Sequence, residues 1–332
     1  MKTLNPTRPP DPCESTGFVL ALTLAAVVLA CTAGIQAQAS QDSAARIDTL
    51  RSRIKSATDQ HAPDPQLGTL WLRLATQYQN QFELQQAEEA FTQALSLLRS
   101  PTTQPALGDA LEGLGSLYFQ TGRTTEAENC LRRSLAIFET LGDQIRIAAL
   151  HETLAMGLVF AHRFREGETE SRRALDLLQT QAEPDPREVA AALVTHSYAL
   201  CFQSRCRDAL DDANRALTLA KAILPADSSQ LAAVWMTLGF AQWKSGSLEE
   251  GGAAMREAIR IVHDRTGTPP LLQRNSELVV LRQYTAYLKS THRKPEAAQL
   301  ETQIQQLQSQ RPHACTNCTI NAAAFASHSA RQ

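Results

Sequence analysis

Between residues 68 and 310 the chain repeats one pattern: an amphipathic stretch, a short polar break, then a second amphipathic stretch. In its first occurrence Trp71, Leu74 and Tyr78 fall at i, i+3 and i+7 around Ala75, while Phe91 and Ala94 fall at i+4 and i+7 from Ala87. Apolar residues so spaced share one face of an α-helix, and the pattern predicts a hairpin of two helices. Pairs of small residues twelve apart mark six such hairpins: Ala75/Ala87, Gly115/Ala127, Ala155/Gly167, Ser197/Ala209, Gly239/Gly251 and Thr285/Ala297. Two helices approach closely only where neither carries bulk, so these pairs are the predicted crossing points. Their second members follow one another at 40, 40, 42, 42 and 46 residues, the mark of an internal repeat.

The second hairpin reads Leu111, Leu114, Gly115 and Tyr118, then Gly122 in the turn, then Ala127, Leu131 and Ser134. This closely resembles the tetratricopeptide repeat, a helical hairpin of about 34 residues. In the first hairpin Trp71, Leu74, Ala75, Tyr78, Ala87, Phe91 and Ala94 fill seven of the eight positions of that family's pattern. The fifth supplies Trp235, Leu238, Gly239, Gly246, Met255 and Ala258. The third and fourth depart from it, with His151 in the first large position of one and His196 in the Leu position of the other. The longer period is similar to the variant found in kinesin light chains and many bacterial repeat proteins. The resemblance implies an all-α, right-handed superhelical solenoid of about six hairpins acting as a non-catalytic protein–protein interaction module.

Prolines punctuate the linkers at Pro101, Pro105, Pro184, Pro186, Pro225, Pro269 and Pro270, where helices must stop. Ile47, Leu50 and Ile54 are helically spaced one period before Ala87 and predict a capping helix in residues 40–66; the Gln-rich stretch from Glu296 to Gln310 suits the other end. The family lines its groove with four positions of each first helix. Carried over here, they give an apolar middle of Met156, Val159 and Phe160; Tyr198, Cys201 and Phe202; and Met236, Phe240 and Trp243. Either these residues are partly exposed and hold an apolar helix or extended segment of a protein or peptide partner, or several of them point into the core between helices, or the superhelix closes over them. The ends are polar, with Thr76 and Gln79 at one and Arg282 and Lys289 at the other. Family members that grip a carboxylate use Lys and Asn where this chain has Leu72, Thr76, Glu112 and Ser116, which argues against such a clamp.

Phe18 to Ile35 is free of charge, is preceded by Lys2 and Arg8, and is followed by Ala37-Gln38-Ala39. This is the layout of a signal peptide spanning residues 1–39, and it places the mature chain in the periplasm or envelope, or outside the cell. A lipoprotein modified at Cys31 and an uncleaved anchor are the alternatives. Removing the leader leaves five of seven cysteines: Cys130, Cys201, Cys206, Cys315 and Cys318. Five cannot all pair within one molecule. Cys201 and Cys206 bracket a turn that a bridge could close. Cys315 and Cys318 form a CxxC in the tail of residues 311–332, with no second pair nearby to complete a metal site; the rival readings are a regulator whose groove senses a short peptide and, behind it, a thiol redox factor built on this CxxC.

A net charge of −2 without a basic stripe gives no electrostatic footprint for nucleic acid. No HExxH, Gly-x-Ser-x-Gly or phosphate loop is present, so neither enzyme, cofactor nor metal is expected. Gly113-Leu-Gly115 falls at a packing position of a repeat helix. His151 and His196 read as buried histidines each with one satisfied nitrogen, or as a neighbouring pair able to bind metal. Glu112 and Glu152 occupy equivalent positions in successive first helices and make either an acidic spot or a solvated face.

Overall fold

In the computed structural model, residues 39–263 and 270–309 are described, with side chains from 45 to 263 and from 277 to 309. Thirteen α-helices and one short 3-10 turn make up these residues, and no strand occurs among them. A lone helix α1 (Ala39–Asp59) precedes six hairpins. These are α2 (Asp64–Asn80) with α3 (Leu84–Leu97), α4 (Gln104–Gln120) with α5 (Thr124–Leu141), and α6 (Gln144–Phe160) with α7 (Phe164–Thr180). They continue as α8 (Pro186–Phe202) with α9 (Cys206–Ile223), α10 (Ser229–Ser245) with α11 (Leu248–His263), and α12 (Pro270–Ser290) with α13 (Lys294–Ser309). Each helix packs on the next, and successive first helices also touch, so α4, α6, α8, α10 and α12 stack along one side. The chain is an all-α solenoid.

The twelve-residue pairs do sit at the crossing points. Ala75, Ala87, Ala127, Ala155 and Ala209 are fully buried, and a side chain on either Gly239 or Gly251 would begin 2.9 Å from the other's carbonyl oxygen. At Gly113 a side chain would run into the ring of Phe91 from the preceding hairpin, so this glycine serves packing, as its helical position predicts.

Every hairpin turn closes in one way. The residue two places after the first helix, or one place in the fifth hairpin, has positive φ: Phe82, Gly122, His162, Ser204, Gly246 and His292. Its N–H donates to a carbonyl three residues back, and the next N–H to one five residues back, as in Phe82 to Gln79 and Glu83 to Tyr78. This is the Schellman arrangement, which prefers glycine because other residues crowd their own backbone there. Only two of the six turns have it, which is why four lack the family's turn signature.

Buried apolar side chains form three successive clusters. The first joins Ile47, Leu50 and Ile54 of α1 to Leu70, Leu74, Phe91 and Leu111; the second gathers Phe119, Leu131, Phe138 and Leu154; the third and largest runs from α6 to α13.

Candidate functional site

The apolar middle of the groove is not open. Met156, Val159, Phe160, Tyr198, Cys201, Met236, Phe240 and Trp243 are each at most 7% exposed, and Phe202 is half-buried. Their rings interlock from one hairpin to the next. Phe202 stacks on Phe164 at 4.9 Å, and Tyr198 and Phe202 lie 5.7 and 5.5 Å from Phe240. Trp243 then meets Phe240 and Tyr287, each at 5.9 Å. The partial exposure expected of these residues holds for Phe202 alone and is corrected for the other eight, which are buried as shared core of the stacked hairpins. Cys201 is joined to Cys206 by a disulfide across the α8–α9 turn, while Cys130 is a buried free thiol. Cys315 and Cys318, like the leader, lie outside the described residues.

His151 and His196 are both buried, each tied to its own second helix. His151 Nδ1 lies 2.7 Å from Glu170 Oε2, and His196 Nδ1 lies 2.6 Å from Asp212 Oδ2. Glu170 and Asp212 each lie three residues beyond the small residue of their second helix, Gly167 or Ala209. Burial works to raise the Glu170 carboxyl, but the bond from His151 and the charges of His151 and Arg173 outweigh it and hold it below its ordinary value. No cluster of three metal-ligating side chains occurs among the described residues.

An opening does exist on the first-helix side, nearer the amino-terminal ends of α6, α8 and α10. It is a cavity of about 540 Å³ whose lining includes Ala148, Ala149, Ala190, Ala191 and Ala233 from those helices. Leu178, Ile223 and Leu224, at or just beyond the carboxyl ends of α7 and α9, add apolar wall together with Val194 and Val234. Short side chains leave the space that larger ones fill further along the same helices. Local chemistry fixes the entrances of these helices, because Asp143, Asp185 and Ser228 each accept a bond from a first-turn N–H.

The charged lining is unbalanced, with Glu112, Glu152, Asp185 and Glu188 against Arg146 and Arg187. Arg146 is already engaged: it donates to Asp109 and to Glu112 Oε2, and its guanidinium lies 4.9 Å from the Phe138 ring. Glu152 Oε1 accepts from Thr195 Oγ1 at 2.9 Å. Glu188 Oε2 is buried and has no hydrogen-bond partner. Burial raises the Glu112 carboxyl, against the pull of Arg146. Glu152 is pushed up to about 7, first by burial and then by the charges of Glu112 and Glu188, with the Thr195 bond opposing. Glu188 is raised by burial and by Asp185. Three half-buried carboxyls thus share one cavity and disfavour each other's ionisation. Glu112 and Glu152 are brought together as an acidic spot. Glu188 was missed by the sequence reading, although Asp185-Pro186 marks a helix start that places it in the first turn of α8.

Comparison with known proteins agrees with this architecture. A sequence profile described as tetratricopeptide repeat matches residues 66–140, the span of α2 to α5. Residues 66–140 carry tetratricopeptide repeats. Solved structures extend the likeness along the solenoid. Apo RapI matches at a TM-score of 0.65 and 11% identity, covering 80% of this chain and 92% of its own. NprR in complex with its cognate peptide NprX matches at 0.58 and 11%, covering 89% and 86%. BtubC from P. vanneervenii matches at 0.53 and 18%, covering 69% and 92%. At such identities the likeness is one of fold. No curated protein sequence matches the chain.

Proposed function

We propose that this protein is a non-catalytic interaction module that takes a peptide segment of a partner in the cavity between the first turns of α6, α8 and α10. The observation that carries this reading is the opening itself, a concave space of about 540 Å³ with an apolar lining and a few charged groups. That combination is the usual form of a site that fixes a ligand's position and discriminates by polarity. The likeness in fold to NprR, whose structure holds its cognate peptide, and to a Rap protein complexed with Competence and Sporulation Factor supports a peptide as the occupant. Selecting binders from a random peptide library on the purified protein, then measuring them by fluorescence anisotropy, tests it. Binding should be lost when the cavity is filled by Ala191→Leu with the helical spectrum unchanged; undiminished binding by that variant would remove the peptide from the cavity.

The place of action is proposed to be outside the cytoplasm, in the periplasm or envelope. The leader-like segment from Phe18 to Ile35 supports it, as does the Cys201–Cys206 disulfide, a bond that persists in oxidising compartments. Amino-terminal sequencing of protein purified from its host should begin at Ser40; a start at Met1 would count against cleavage.

A further inference from the structure

We infer that the cavity selects a cationic side chain, a Lys or Arg of the bound peptide flanked by an aliphatic residue. The inference rests on the peptide-binding reading and adds what the peptide must carry. Its basis is charge complementarity together with an unmet hydrogen-bonding demand.

Four carboxyls line the space against two cations: Arg146, shared between Glu112 and Asp109, the latter outside the lining, and Arg187, which is exposed. Glu152 has one donor, Thr195, and the buried Oε2 of Glu188 has none. A buried carboxylate oxygen without a donor is costly, on the order of 1–3 kcal/mol, and a ligand N–H that reached it would relieve that cost. An ammonium or guanidinium supplies three to five such donors and the missing positive charge. An anionic or purely apolar occupant would add to the repulsion or leave the carboxyls bare.

The apolar part of the lining fixes the rest of the ligand. Leu178, Ile223, Leu224, Val194 and Val234 offer no hydrogen-bonding side chain, so the residue beside the cation must be apolar to displace water from them. Much of the remaining lining is alanine, including Ala148, Ala149, Ala190 and Ala191, which lets a peptide backbone come close to α6 and α8.

The test uses the purified full chain and phage-displayed random dodecapeptides. Enriched sequences should carry Lys or Arg next to an aliphatic residue. Replacing that Lys by norleucine in a synthetic peptide should weaken binding at least tenfold, a change that leaves the protein's folding untouched. Glu188→Gln should weaken the Lys peptide severalfold while its affinity for the norleucine peptide stays the same. Enriched peptides without a cation, or a norleucine analogue that binds as tightly, would overturn the cation inference and leave the peptide reading standing. Equal binding of the Lys peptide by Glu188→Gln and parent would overturn it too, since the cation would then be read elsewhere. Failure to enrich any peptide would overturn both.

Discussion

Among the first four hairpins, neighbouring turns are bridged by arginine; among the last three, neighbouring helices are bridged by aromatic rings. Arg123, Arg163 and Arg205 each sit just before a second helix and hold two acids, one three residues on and one in the hairpin before. The partners in the preceding hairpin are Glu88, Glu128 and Glu168. At the α10–α11 turn the arginine position is Ser247, and the residue after the crossing point in α11 is Gly252 rather than Glu. A side chain on Gly252 would strike Tyr287, which packs there and donates its hydroxyl to Leu248 O at 2.8 Å. One repeat geometry is thus joined by two chemistries. The charged bridges lie at the surface, where water and salt screen them, while the rings are buried and bring their full apolar area.

Tyr287→Ala should therefore have the largest effect. It removes a buried ring that touches Trp243 and Tyr284, and by the usual cost of such truncations it should destabilise the carboxyl-terminal hairpins by about 3 kcal/mol. Thermal unfolding followed by tyrosine and tryptophan fluorescence would read it; a change below 1 kcal/mol would mean that the rings do not carry the junction.

Glu152→Gln comes next and tests the cavity rather than the junctions. The fold raises this carboxyl from 4.5 to about 7, so the folded state binds the proton more readily than the unfolded state between those values. Stability is then lost as the pH rises through that window. The variant should leave stability at pH 4 unchanged and gain about 1–2 kcal/mol at pH 8, a figure reduced for partial exposure. Equal stability of variant and parent across that range would show that the carboxyl is not strained by its neighbours. A cationic peptide favours the ionised form, so its affinity should rise from pH 5 to pH 8.

His292→Gly sharpens the role of the turns. His292 is exposed and held at φ 62, and glycine should relieve the crowding by about 1 kcal/mol in urea unfolding. A loss of stability would mean that the histidine side chain contributes more than its backbone conformation costs. Arg163→Ala should cost the least, less than about 1 kcal/mol at low salt and nothing measurable at 1 M salt. An effect as large as that of Tyr287→Ala would erase the distinction between the two kinds of junction.

The hairpins were legible because a helix crossing forces small residues onto a fixed spacing, and that constraint survives even where His151 and His196 replace the usual apolar residues. The groove was not. Assigning lining positions from the family assumes that one face of each first helix stays open, yet α6, α8 and α10 are apolar nearly all round. In α6 twelve residues are buried, among them both Leu154 on the crossing face and Met156 on the supposed groove face. A helix without a polar face is a buried helix, and that signal was present in the sequence. The arginine bridges were also written there, as Arg123-Glu126, Arg163-Glu166 and Arg205-Asp208, but the second partner lies a whole hairpin away and only stacking reveals it. The cavity depends on the same stacking, because Glu112, Glu152 and Glu188 come from three separate hairpins.

Hydrogen exchange of the protein with and without a selected peptide tests the central claim most directly. If the peptide occupies the cavity, protection should concentrate in residues 144–153, 186–194 and 229–234, with the aromatic segment from Tyr198 to Phe202 and from Phe240 to Trp243 unchanged. Protection confined to that aromatic segment, or to the polar ends around Thr76 and Lys289, would contradict the account.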